Sequence, residues 1–232
     1  MDLKEINAKL EDADPLEILH WALAAFPHQV GMTTSFQNSG IVLIHMLRGI
    51  AYGFPIFFID TGFHFPETLE FKARLTREWN LNLHTIMPHL SRAKLDKAHG
   101  LRLYESDPDL CCRLNKVAPL ADLRKEIGLK NWISALRKDQ SETRKDLLPV
   151  MSDGEGNLRI HPLASWTRER IWAYIRENGL SYHPLYDQGY TSIGCFPPSC
   201  TSKNGLEGDE RAGRWKGREK TECGLHEGIK KP

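Results

Sequence analysis

The chain has 232 residues, of which 41% are hydrophobic and 26% charged, and its formal net charge is +1. This is the make-up of an ordinary soluble globular protein with room for one substantial core, and it excludes a small secreted disulfide scaffold. A near-neutral balance gives no global field for nucleic acid, no apolar run reaches the roughly eighteen residues of a membrane span, and no signal peptide is recognisable, so a reducing cytoplasm is the expected compartment.

Asp14 before Pro15 predicts a helix N-cap, and the stretch 15–26 carries apolar residues at helical spacing. Residues 29–35 (QVGMTTS) predict a short strand that runs into a polar turn, and 40–51 predict a helix. The apolar run 55–60 (PIFFID) predicts a buried strand ending in Asp60-Thr61-Gly62. Pro66 opens a helix over 66–79, and 81–87 predict a third strand. A helix over 115–128 is closed by Gly128, and strands are expected over 131–137 and 158–164. The last clear helix spans 167–179 and ends on Gly179, after which loops and a mobile tail are expected.

Strands that alternate with helices predict an α/β fold: a twisted, mainly parallel sheet flanked by helices, in a single domain over 1–232. Ligands of such sheets lie beyond the carboxyl ends of the strands. Three predicted strand ends carry polar or cationic residues: Thr33-Thr34-Ser35, Asp60-Thr61-Gly62, and Arg137-Lys138-Asp139-Gln140. The run from Thr33 to Gly40 lies between a strand and a helix, where hydroxyls and backbone N–H groups make either an anion cradle or a simple N-cap. It is not a Walker loop, because no Gly-Lys-Ser/Thr follows.

The five cysteines divide into four and one. Cys111 and Cys112 are adjacent, Cys195 and Cys200 form a second close pair, and Cys223 stands alone in KTECGLHEG. Two pairs can supply four soft ligands to a metal centre. A four-thiolate zinc site and buried structural thiols are the alternatives, but an adjacent pair is an awkward half of a zinc tetrahedron and suits a multi-iron cluster better. Cys223 follows a segment holding Arg211, Arg214, Lys216, Arg218 and Lys220. That segment is either a solvated loop or a small-anion site, and a thiol among cations has a lowered pKa and becomes a nucleophile.

In order along the chain, Ser35-Phe36, Asp60-Thr61-Gly62, Cys111-Cys112 with Lys116, Arg137 to Ser141 with Arg144, Tyr190 to Cys195, Arg211 with Gly213-Arg214-Trp215, and Glu222-Cys223-Gly224-Leu225-His226 resemble the assimilatory sulfonucleotide reductases. The resemblance spans roughly residues 15–228. It implies an adenine-nucleotide alpha-hydrolase-like fold with residues 201–232 as a flexible catalytic tail. It also implies reduction of adenosine 5′-phosphosulfate to sulfite and AMP through an S-sulfo intermediate on Cys223, with thioredoxin or a glutaredoxin-like dithiol as electron donor. The cysteine pattern implies one [4Fe-4S] cluster on Cys111, Cys112, Cys195 and Cys200. Two departures stand out. The family's second pair is Cys-x-x-Cys, whereas here Pro198 holds the expected position and the cysteine falls at 200; and Gln37 stands where many relatives have Gly.

On this resemblance Ser35, Phe36, Asp60, Thr61, Gly62, Lys116, Arg137, Arg144, Arg211, Arg214 and His226 are the candidate substrate-binding residues. Lys116 would approach the phosphosulfate from the cluster side, while Arg211, Arg214 and His226 would favour the thiolate. The remaining histidines, among them His64, His161 and His183, are read as structural. The same chemistry on the 3′-phosphorylated nucleotide is the first alternative, although Met32–Met46 holds no Arg or Lys. An ATP pyrophosphatase of related fold is the second, although the Ser-Gly-Gly-x-Asp-Ser loop it needs is absent. A non-catalytic metal-binding module would have no use for the lone thiol. A homo-oligomer is allowed.

Overall fold

The computed structural model describes residues 1–154, 156–196, 202–203, 209–215 and 220–226. Its helices are α1 (Leu3–Leu10), α2 (Pro15–Ala25), α3 (Asn38–Ile50), α4 (Pro66–Glu78), α5 (Arg92–His99), α6 (Leu103–Ser106), α7 (Pro108–Cys112), α8 (Ala118–Glu126) and α9 (Arg168–Glu177). The strands are β1 (Val30–Thr33), β2 (Ile56–Ile59), β3 (Leu83–Ile86), β4 (Asn131–Ile133), β5 (Val150–Ser152), β6 (Leu158–Ile160), β7 (Tyr190–Ser192) and β8 (Ser202–Lys203).

Six strands form one sheet in the order β3-β2-β1-β4-β6-β5, parallel throughout except for β5. The expected α/β class is therefore the observed one. Helices cover both faces, so β2 (IFFI) is buried at every position. Its side chains alternate between two cores: Ile56 and Phe58 join the layer with α2, α3 and α9, while Phe57 and Ile59 join Ile86, Leu120, Leu129 and Trp132 on the other side.

The local signals of α2 hold: Asp14 Oδ1 accepts from the Leu16 N–H, and Glu17 reaches back to the Asp14 N–H at 2.8 Å. Other expectations need correcting. The helix expected over 115–128 begins earlier, as α7, and passes through a π-helical turn at Arg113–Val117 before α8. Pro119 has no N–H to donate back into that turn, which widens before it. The strand expected over 131–137 stops at Ile133, since the chain turns into a 3-10 segment at Lys138–Gln140. The antiparallel edge strand β5 has no counterpart in the expected set. It is closed off by α1, whose Asn7 amide donates to the Val150 carbonyl at 2.8 Å and accepts from its N–H at 2.9 Å.

Candidate active site

A cavity of about 190 Å³ opens at the carboxyl ends of β1, β2 and β4. Its floor is the loop that leaves β1. Phe36 there has φ of 56°, sparsely populated for a non-glycine residue, and its ring is fully buried against Phe58. The Phe36 N–H donates to Thr34 Oγ1 at 3.0 Å, so the ring anchors the loop from beneath. A Cβ on Gly40 would lie 2.7 Å from that same oxygen, which is why the helix can start directly under the loop. Gln37 does not cap α3 through its side chain, and Thr33, Thr34, Ser35, Asn38 and Ser39 line the cavity around the helix N-terminus, where the Asn38 N–H meets the Tyr186 hydroxyl. Gln37, in place of Gly, ties the loop to the segment after β7: its Oε1 accepts from the Ile193 N–H at 2.9 Å and its amide donates to Ser35.

The β4 side of the cavity presents Arg137 already engaged. Its guanidinium meets Asp139 at 2.9 Å, Glu210 at 2.8 Å and the Ser39 hydroxyl. Glu210 also lies 3.7 Å from Arg168, and burial raises its pKa against the pull of Arg137. Two histidines brace this end. His161 pairs with Ser134 at 2.8 Å and burial holds its pKa down to about 3; His183 pairs with Thr68 at 2.8 Å and burial lowers its pKa to about 4.

At the opposite end the thiols gather. Cys112, Cys195 and Cys223 are buried in one cluster with Phe63 and Trp215, and Cys111 packs against it. Cys111, Cys112 and Cys195 line a second, smaller cavity with Thr61, Phe63, Tyr104, Pro108, Asn115 and Lys116. Asn115 Nδ2 approaches Cys111 Sγ at 3.6 Å, and Thr61 Oγ1 lies 3.6 Å from Cys195 Sγ. Among the described residues no three His, Cys, Asp or Glu side chains converge on one metal ion. Three thiols spread around an apolar hollow, with polar side chains beside two of the sulfurs, fit an iron–sulfur cluster better than a zinc ion. Cys200 lies outside the described residues.

Lys116 links the two cavities, with Nζ 3.9 Å from Cys223 Sγ. The Cys223 pKa is held well below its ordinary value: the Cys112 thiol donates to it, while Lys116, the Leu225 N–H and Arg214 add to this against burial. Cys112 is correspondingly pushed up. Burial weakens the charge of Lys116, but the Cys195, Cys223 and Cys112 sulfurs hold its pKa above the usual value. Burial, Arg214 and Arg144 hold the Arg211 pKa well below its ordinary value, against the pull of Glu222 and Cys223. The Nε atoms of Arg211 and Arg214 are buried with no partner.

The described parts of the expected tail pack into this end. Trp215, 2% exposed, lies beneath Arg211, Arg214 and Lys220, with Arg214 at 4.5 Å from its ring centre. Lys220 pairs with Asp109. Glu222 takes both branches of Arg144, at 2.9 and 2.7 Å, and meets Arg211 at 3.1 Å. Arg159 donates to the Leu225 carbonyl at 2.5 Å.

The family model of the phosphoadenosine phosphosulfate reductase domain matches residues 29–203, which hold the loop, the sheet and three of the cysteines lining this site. The chain belongs to that family. It is 41% identical over 226 residues to the phosphoadenosine 5′-phosphosulfate reductase of Gloeobacter violaceus, covering 97% of this chain and 93% of that one. It is 42% identical over 221 residues to the adenosine 5′-phosphosulfate reductase of Streptomyces coelicolor, covering 94% and 90%. Among solved structures, the phosphoadenylyl-sulfate reductase of Candida auris superposes with a TM-score of 0.75 at 32% identity, over 84% of this chain and 96% of that one. The FMN adenylyltransferase of Candida glabrata, with a TM-score of 0.60 at 15% identity over 78% and 59%, shares the fold alone.

Of the residues singled out in the sequence, Ser35, Lys116, Arg137, Arg144, Arg211, Arg214, Cys195 and Cys223 line the large cavity. Phe36, Asp60, Gly62 and His226 do not. Phe36 is core, and Asp60 turns back to accept from the Gly62 N–H at 3.0 Å. Thr61 faces the cysteine cavity. Sequence reasoning left His64 among the structural histidines and missed Arg168, Tyr186 and Glu210, and all four line the cavity. Asn38 is 4% exposed with its amide unpartnered, and His64 bonds the Ile59 carbonyl through Nε2 and leaves Nδ1 buried and unpartnered. Asn38 belongs to the Thr33–Gly40 run singled out in the sequence as a candidate anion cradle. Nothing local marked Glu210, whose partners are distant in the chain.

Proposed function

We propose that this chain reduces adenosine 5′-phosphosulfate to sulfite and AMP, an oxidoreductase step in assimilatory sulfate reduction toward cysteine. The observation that carries the reading is the position of Cys223: a depressed-pKa thiol 3.9 Å from Lys116, on the wall of the cavity that the β1 loop floors. The Cys223 thiolate attacks the sulfur of the phosphosulfate. The new bond is S–S, the bond that breaks joins sulfur to the bridging oxygen, and AMP leaves with that electron pair. Lys116, Arg211 and Arg214 offset the charge of the sulfonate and the leaving phosphate. A dithiol donor of the thioredoxin class then attacks Cys223 Sγ and expels sulfite. Its second thiol closes the disulfide and returns Cys223 as a thiol, so the dithiol supplies both electrons.

Cys111, Cys112 and Cys195 would hold a [4Fe-4S] cluster, with Cys200 as the fourth ligand. When bound, the cluster would supply a compact charged group beside Lys116. Cys112 would then have no proton to give Cys223, and Lys116, Arg214 and the Leu225 N–H would keep the thiolate stable.

Two observations favour a free 3′-hydroxyl over a 3′-phosphate. The β1 loop offers no cation, and the buried Arg137 guanidinium is satisfied by Asp139 and Glu210, which also lies 3.7 Å from Arg168. A dianion there would meet the Glu210 carboxylate. The 3′-phosphorylated nucleotide is the second reading, favoured by the activity for which the Gloeobacter relative is named. Parallel kcat/KM measurements with excess thioredoxin test the choice. The unphosphorylated nucleotide should win by tenfold or more, and the opposite ratio overturns the substrate assignment.

A further inference from the structure

Lys116, Arg144, Arg211 and Arg214 line the sulfur end of the cavity, and sequence reasoning treats Arg144 and Arg211 alike as clamps for the substrate anion. Their surroundings separate them. Arg144 is 7% exposed and has every branch of its guanidinium occupied: Nε and Nη2 by the two oxygens of Glu222, and Nη1 by Gln140. Thr143 adds its hydroxyl to the same carboxylate at 2.8 Å. Arg211 touches Glu222 and the Thr221 carbonyl through Nη2 alone, and its Nε is buried without a partner. Glu222 is the residue immediately before Cys223.

We infer that Glu222 is a positioning residue: its carboxylate is an internal anion seated in the Arg144 fork, and that pair holds the tail so that the Cys223 sulfur lies beside Lys116. A bidentate arginine–carboxylate pair fixes orientation as well as distance, and one residue of chain leaves the neighbouring side chain little freedom. Arg144 thus serves the tail, while Arg211 Nε, Arg214 Nε and Lys116 Nζ remain for the substrate. The other ties on the segment hold its flanks: Lys220 with Asp109 before it, and Arg159 with the Leu225 carbonyl after it.

The inference rests on the reductase reading for the role of Cys223, but its test does not require turnover. Amide hydrogen exchange over 220–226 is followed by mass spectrometry in the cluster-loaded protein, alongside AMP affinity. Glu222→Gln should raise exchange in that segment by tenfold or more and lower kcat, with AMP affinity unchanged within about twofold. Arg144→Gln should do the same, and the double variant should exchange no faster than either single one, since both remove one interaction. Where Glu222→Gln fails to load its cluster, Glu222→Asp, which keeps the charge but shortens the reach, should give a smaller rise. Unchanged tail exchange in these variants overturns the inference. So does an Arg144→Gln protein that loses AMP affinity tenfold with the tail still protected, because Arg144 would then be a substrate clamp. Loss of sulfite release in the wild type would count against the reductase reading alone.

Discussion

The two ends of the cavity are built on different physical principles. At the nucleotide end, the loop after β1 offers hydroxyls, the N-terminus of α3 and the Asn38 amide, and its arginine is neutralised by Asp139 and Glu210. At the sulfur end, Lys116 Nζ lies 3.9 Å from the buried Cys223 sulfur, and the Nε atoms of Arg211 and Arg214 are buried without a partner. In the proposed reading the first end binds by shape and hydrogen bonds that hold ground state and transition state alike. In the proposed reaction the second places cations where negative charge shifts, and interactions that strengthen in the transition state are the ones that speed the chemical step. Substitutions at the two ends should therefore fail differently.

The largest effect belongs to Cys223→Ser. Sulfite release should fall by about 10³-fold or more, because a serine hydroxyl is a far weaker nucleophile at neutral pH, while AMP affinity stays within a few-fold. Next is Lys116→Met, for which a loss of about 10²-fold in kcat/KM is expected. Lys116 stabilises the thiolate, so its removal raises the Cys223 pKa, and the rising limb of the pH–rate profile should move to higher pH. An unmoved limb would show that the lysine does not act on the sulfur.

Cluster retention probes the same end by another route. Cys111→Ala, Cys112→Ala, Cys195→Ala and Cys200→Ala should each lose the visible iron–sulfur absorbance after anaerobic purification. Full iron content in Cys200→Ala would exclude that cysteine as a ligand. At the other end, Glu210→Gln removes the carboxylate paired with Arg137 and Arg168, which the proposed reading sets against a 3′-phosphate. The preference for the unphosphorylated nucleotide should shrink by about tenfold, equal to ~1.4 kcal/mol.

The smallest effect on turnover lies in the buried histidines beneath that end. His161 and His183 titrate at about 3 and about 4 in the folded protein, against an ordinary value of 6.5. The unfolded chain therefore takes up protons that the folded chain refuses. Stability should fall as pH drops below about 6.5, continuing to about 4 for His183 and about 3 for His161. Urea unfolding at pH 7 and pH 5 measures the loss, and His161→Gln should reduce the slope.

How much of this could be read from sequence follows the same division. Apolar runs and helix caps repeat with a local period, so β1, β2, β3, α2, α4 and α9 were all placed within a few residues. The edge strand β5 is three residues long and stabilised by α1 through Asn7, a contact that spans the chain, and no periodicity signals it. At the site, the cysteines and the tail arginines were visible because their residue types are chemically distinctive. Their division of labour was not. The pairing of Glu222 with Arg144 and of Glu210 with Arg137 joins residues more than seventy positions apart. The placement of Phe36 in the core was likewise hidden, because its role depends on a backbone angle and not on its side-chain chemistry.

The central claim is that Cys223 takes the sulfonate directly. Intact-protein mass spectrometry after incubation with adenosine 5′-phosphosulfate, without any dithiol, tests it. The account predicts a gain of one SO₃ unit, localised to Cys223 by peptide mapping, accompanied by one equivalent of AMP and released as sulfite on adding reduced thioredoxin. AMP and sulfite formation with no adduct, or an adduct mapped to another cysteine, would contradict it.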